Sequence, residues 1–177
     1  MEKGTQIMTG KRDQGFTLIE LLIVVAIISI IAAIAVPGLL RARMSGNETS
    51  ALASLKVVNS SEVAYSASCG NNGYATAFTV LATPSPTMGF ISADLGVATP
   101  IKSGYNFALA AGAGSAAGPA DCNAVVTRTG YYASAVPTGY GTTGSKSYAT
   151  NAGNTVYQIW AATAPAEPFA APAIPIG

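Results

Sequence analysis

The chain has 177 residues, half of them hydrophobic and 10% charged, with two cysteines and no histidine. That length fits one domain with an appended element, and the low charge and high apolar content exclude a disordered chain. Nine Lys and Arg against eight Asp and Glu leave a formal net charge of +1, far too little for binding by phosphate neutralisation, so no specific nucleic-acid partner is expected. Without histidine there is no Ser-His-Asp or Cys-His nucleophile and no His-ligated metal, and two cysteines cannot form a four-thiolate zinc site. The chain is therefore read as a non-enzyme with no cofactor.

Residues 1–15 carry five charges, Glu2, Lys3, Lys11, Arg12 and Asp13. From Leu21 to Leu40 there are twenty residues without a charge, roughly 30 Å of helix and enough to cross the hydrocarbon core of a bilayer. Lys11 and Arg12 precede the run and Arg41 and Arg43 follow it, so the excess of cations on the cytoplasmic side does not orient it. A secretory signal peptide, a buried core helix, and a membrane-spanning or filament-core helix are the three readings. The run is longer than a signal peptide's apolar stretch of about 7–15 residues, and too uniformly apolar for the core of so small a domain, which favours the third.

Glu20 is the one charge between residues 16 and 40. A carboxylate in hydrocarbon costs a few kcal/mol unless it is paired or close to the interface. It either points to water at the membrane edge or meets a cation supplied by another molecule. A free amine on Phe16, made by cutting the chain after Gly15, would be such a cation.

The stretch Gly15-Phe16-Thr17-Leu18-Ile19-Glu20, followed by LLIVVAIISIIAAIAVP, resembles the amino-terminal signature of type IV pilins and the related pseudopilins. The resemblance implies a cytoplasmic leader cut between Gly15 and Phe16 by a prepilin peptidase, which also methylates the new amine of Phe16. It implies that Glu20 pairs with the amine of a neighbouring subunit, and that Pro37, with Gly38, marks a stretch of helix that melts in the filament. Proline removes a helical hydrogen bond and clashes with the preceding turn, and glycine weakens the helix further, so a kink or a melted turn is expected there. The implied partners are further copies of the chain in a helical filament, the peptidase and N-methyltransferase, an inner-membrane assembly platform, and membrane lipid before assembly. The implied location is the inner membrane as a single-pass protein, then an extracellular pilus or a periplasmic pseudopilus.

From Leu40 on, apolar residues recur at Leu40, Met44, Ala51, Leu55, Val58 and Tyr65, one face of an amphipathic helix. Gly46-Asn47 is its weakest point, and Cys69-Gly70-Asn71-Asn72-Gly73 is a dense turn signal that ends it near Ser68. Asn47-Glu48-Thr49 and Asn59-Ser60-Ser61 fit the N-glycosylation pattern, in a helical context that disfavours modification.

Residues 69–177 hold six charges. Residues 111–119, alternating Ala, Gly and Ser, read as a low-complexity loop. Ser103–Ala110 reads as a strand with Tyr105, Phe107 and Leu109 on one face, Gly130–Val136 as a second, and Ser147–Trp160 as a hairpin turning at Asn151-Ala152-Gly153-Asn154. The tail from Ala161, with Pro165, Pro168, Pro172 and Pro175, is expected to be irregular and surface-lying. The fold class is α+β: a long amino-terminal helix, half hydrophobic and half amphipathic, packed on a small antiparallel sheet. The organisation is leader 1–15, hydrophobic helix 16–40, amphipathic helix 41–68 and globular region 69–177.

Cys69 and Cys122 both follow the apolar segment, on the side that would face an oxidising compartment. They are expected to form a disulfide, with two buried thiols as the alternative. Pilins often close a carboxy-terminal loop with a disulfide, and this pair lies earlier in the chain than that pattern. Asp94, Asp121 and Glu167 are too dispersed in sequence to suggest a calcium site, and the fourteen aromatics fit packing and surface roles. The function read from the sequence is a structural subunit of a type IV pilus; the alternative is a pseudopilin of a type II secretion system, or a minor pilin.

Overall fold

The computed structural model describes residues 15–83 and 88–176. The expected leader, apart from Gly15, lies outside the described residues. The chain divides into two compact units, Met1–Leu39 and Leu40–Gly177, and the division falls within one helix, α1 (Leu18–Ser68).

In the first unit α1 has no apolar partner among the described residues. Every large hydrophobic side chain from Phe16 to Leu39 is exposed, from 48% at Val24 to 88% at Phe16. Among the described residues this is the one helix long and apolar enough to cross a membrane. The helix is assigned without a break through Pro37 and Gly38, where the sequence predicts a kink or a melted turn. Pro37 has no N–H to give the carbonyl of Ala33, but the bonds on either side keep the helix winding, and one missing bond does not unwind it.

In the second unit α1 buries Ala51, Leu55, Val58 and Tyr65, the face expected from their spacing. Leu40 and Met44 were expected on that face too, but Leu40 is exposed and Met44 only half-buried. The helix is tied to the rest of the unit from Asn47 onward, where Asn47 Nδ2 donates to the Thr143 carbonyl at 2.9 Å. Gly46-Asn47, expected to be the weak point, is thus helical and anchored. Glu62, Asn59, Ser54 and Ser61 are buried alongside the apolar residues.

The helix ends where the turn signal stands. Cys69 and Gly70 both donate to the Tyr65 carbonyl, and Asn71 and Asn72 take left-handed φ of 48° and 66°, a conformation that Asn tolerates better than most residues. A Cβ on Gly73 would come within 2.0 Å of Thr127 Oγ1, so the close approach of this turn to the sheet needs glycine. A short helix, α2 (Phe78–Ala82), then inserts Phe78 and Leu81 into the core.

The main sheet has six strands: β1 (Ile101–Lys102), β2 (Tyr105–Ala111), β5 (Tyr131–Pro137), β6 (Ser147–Asn151), β7 (Val156–Ile159) and β8 (Ile174–Ile176). They are ordered β1-β2-β5-β6-β7-β8, and every neighbouring pair is antiparallel. On one face Tyr105, Phe107, Tyr131, Ala133, Ala135, Tyr148 and Val156 join the α1 residues in a single core. The other face is covered by the tail over β5 to β7, while Asn106, Ala108 and Ala110 of β2 stay exposed. Phe169 stacks on Tyr157 with ring centroids 4.3 Å apart and reaches Tyr132 at 6.2 Å, and the Tyr132 hydroxyl donates to the Pro165 carbonyl at 2.6 Å. Cover on both faces explains why Ser147, Tyr148, Ala149 and Thr150 of β6 are all buried.

Two elements differ from the sequence reading. The tail is irregular only as far as Ala173; Ile174–Ile176 then pairs with β7, with Pro175 opposite Tyr157. Proline is tolerated because β8 is an edge strand. The low-complexity stretch also contributes a strand, β3 (Ala117–Ala120), which pairs with β4 (Val126–Arg128) in a separate two-stranded sheet. Its turn is held by Asp121. The Asp121 Oδ1 accepts the amides of Asn123 and Val125, and its Oδ2 accepts the Tyr65 hydroxyl at 2.7 Å.

Candidate functional site

The candidate site is the amino-terminal end of α1. Gly15, Phe16 and Thr17 precede the helix in non-helical conformation. Among the described residues nothing lies within 4 Å of where a Cβ on Gly15 would stand. Gly15 and Phe16 are exposed, Phe16 to 88%.

Glu20 has a local partner that the sequence reading missed. Glu20 Oε2 accepts the Thr17 amide at 2.9 Å and the Thr17 hydroxyl at 2.6 Å, while the Glu20 amide donates back to Thr17 Oγ1 at 3.3 Å. This is a reciprocal capping box, the signature Thr-x-x-Glu at a helix start, and it satisfies amides that the first turn would otherwise leave orphaned. The signal was present as Thr17-Leu18-Ile19-Glu20. Glu20 Oε2 is the oxygen engaged in both contacts.

Pro37 lies 17 residues further along α1 and makes no contact with Gly15, Phe16 or Glu20. The structure therefore brings together Gly15, Phe16, Thr17 and Glu20, and holds Pro37 apart from them. Ser29 is the hydroxyl inside the apolar run, and its Oγ donates to the Val25 carbonyl at 2.7 Å, so it presents no free polar group to a hydrocarbon surrounding.

Cys69 and Cys122 form a disulfide between residues 53 apart, with Cα atoms 4.9 Å from each other. The Cys122 amide also donates to the Cys69 carbonyl at 2.9 Å. Together with the Tyr65–Asp121 bond this fastens the β3–β4 turn to the carboxy-terminal end of α1. The glycosylation triplets are spent on packing: Asn47 Nδ2 bonds Thr143, and Asn59, 7% exposed, donates from its Nδ2 to the Asn154 carbonyl at 3.1 Å. Asp94 pairs with Lys102 at 2.7 Å, which holds its carboxyl down at about 2, and Asp121 and Glu167 are engaged elsewhere in the fold. No group of three metal-ligating side chains occurs among the described residues.

Residues 10–36 match the family model for the prokaryotic N-terminal methylation motif. The type IV wide pilus major component PilA4 of Thermus thermophilus is 59% identical over 39 residues, 22% of this chain and 30% of the relative. The type IV major pilin protein PilA of Myxococcus xanthus is 43% identical over 54 residues, 30% of this chain and 24% of the relative. The match thus spans under a third of either relative's length. No solved structure matches the chain. These similarities bear out the resemblance to type IV pilins over the amino-terminal segment.

Proposed function

We propose that this chain is a structural subunit of a type IV pilus, made as a membrane-anchored precursor and polymerised through α1. The carrying observation is the Gly15–Glu20 motif at the head of a helix whose apolar side chains up to Leu39 are exposed among the described residues. In the membrane, lipid covers them; in a filament, the same side chains on neighbouring copies would do so, excluding water along a common axis. Both relatives are named as major components of type IV pili, and that role is carried over here in preference to a pseudopilin.

The processing step is hydrolysis of the Gly15–Phe16 peptide bond by the prepilin peptidase. It leaves a carboxylate on Gly15 and a cationic amine on Phe16, which the same enzyme then methylates. The small Gly15 has no side chain to obstruct the peptidase. In the filament, the Glu20 carboxylate would accept the Phe16 amine of the next subunit. A carboxylate and an ammonium buried together attract strongly, whereas either alone is penalised, so this pair sets axial register. Before assembly the protein would sit in the inner membrane as a single span, with the globular unit on the oxidising side where the disulfide forms.

Mass spectrometry of the mature protein tests this reading. The expected amino terminus is methylated Phe16, and electron microscopy of sheared surface fibres should find the chain as their main constituent. A mature chain that begins elsewhere, or fibres that lack it, would overturn the proposal.

A further inference from the structure

Glu62 lies on the buried face of α1 and is wholly excluded from solvent. Its Oε2 accepts the Ala75 amide at 3.0 Å, and its Oε1 has no hydrogen-bond partner among the described residues. Ala75 belongs to the segment that follows the end of α1, where Tyr74 exchanges two backbone hydrogen bonds with Arg128 of β4. Glu62 is thus the side chain through which the helix grips the chain after its own terminal turn.

Among the described residues no charge of opposite sign pairs with it. The titratable groups that feel its charge are Tyr65 on the same helix and Tyr131 on β5. Tyr65 donates its hydroxyl to Asp121, a further acid, and Tyr131 donates to Asn59 Oδ1 at 2.9 Å and lies against the ring of Tyr74. The ion pairs of the described residues, Lys102–Asp94 and Lys146–Glu48, do not involve Glu62. A carboxylate in this place would be a buried charge surrounded by phenols and a second acid, with one amide to solvate it. Burial without a cation penalises the charged form heavily, and a neutral carboxylic acid is the form the site accommodates.

We propose that Glu62 is a proton-dependent latch: neutral, it pins the Ala75 segment to α1; charged, it drives that segment open to admit water. Burial pushes the carboxyl up to about 8, which sets the window. The folded state holds a proton that the unfolded state releases above the ordinary carboxyl range. The latch is therefore fully closed below about pH 4.5, weakens as pH rises, and has lost its contribution once pH passes about 8. One linked proton changes the opening equilibrium by up to about tenfold per pH unit within that window. The inference concerns the globular unit and holds whether or not the chain polymerises.

The test is equilibrium unfolding of the full chain in detergent micelles, disulfide intact, between pH 5.5 and 8.5, for the wild type and for Glu62→Gln. In glutamine the amide oxygen can still accept from Ala75, and the group does not ionise. The expected result is an unfolding constant that rises by up to about tenfold per pH unit in the wild type and stays flat in the variant. Parallel pH slopes in the two proteins, or a flat wild type, would overturn the latch. Should the variant fail to fold, infrared titration of the wild type decides. A protonated-carboxyl stretch that survives at pH 6.5 and vanishes by about pH 9 supports the proposal; its absence at pH 6.5 refutes it.

Discussion

The two units share one helix and solve opposite problems. From Gly15 to Leu39 the side chains are apolar and uncovered, and the polar groups of the first turn are satisfied within the segment, by Thr17 and Glu20 for each other. From Leu40 onward the same helix hides polar groups among apolar ones, and these bond across the fold: Asn47 to Thr143, Asn59 to Asn154, Ser61 to the Phe90 carbonyl. The difference teaches what each half is built to meet. A surface without hydrogen-bond demand can face lipid or a copy of itself without changing. A surface with exact polar partners has already chosen its neighbours and is finished as a monomer.

That contrast can be broken at several points. The largest effect is expected at Glu20, the one charge between residues 16 and 40: Glu20→Val should leave the protein in the membrane fraction and cut filament yield by at least about tenfold, since breaking a buried ion pair costs about 3–5 kcal/mol. Sheared-fibre yield measures it, and a normal yield would remove Glu20 from assembly. In the globular unit the Cys69→Ala, Cys122→Ala double variant should lose about 4 kcal/mol, the loop-closure entropy of a link this long, read by denaturant unfolding against the oxidised wild type. Leu55→Ala, a truncation at a fully buried site, should cost about 2–5 kcal/mol without lowering membrane insertion. Tyr131→Phe removes the hydroxyl from Asn59 and Asn154 and should cost about 1–2 kcal/mol. At the small end, Lys102→Ala breaks an exposed pair with Asp94, and a change under about 0.5 kcal/mol that fades in salt is expected.

The sequence disclosed most where one physical demand dominates. Twenty uncharged residues can only be a long apolar element, and Ala51, Leu55, Val58 and Tyr65 mark one helical face because burial leaves a period. The motif around Gly15 and Glu20 was equally plain, although Glu20 was read for a distant partner while the nearer one, Thr17, stood three residues away. What stayed hidden depends on contacts that have no local period. Glu62 sits among Ser and Asn on an amphipathic helix and looks like a solvated acid until the Ala75 segment folds over it. The β3–β4 hairpin has no alternation of its own; Asp121 and the disulfide impose it from outside. β8 was concealed by Pro175, which discourages a strand except at an edge, and edges are a matter of topology.

Those edges carry a consequence wherever copies of the chain meet. A β-sheet left open at its side can recruit another sheet through unpaired backbone groups, and crowded monomers would then clump in the wrong way. Here one border is two residues long and bears Lys102, while the other is three residues long with a proline at its middle. Both border strands are too short to template much pairing, and the longest run of exposed apolar side chains among the described residues stays on the first part of α1.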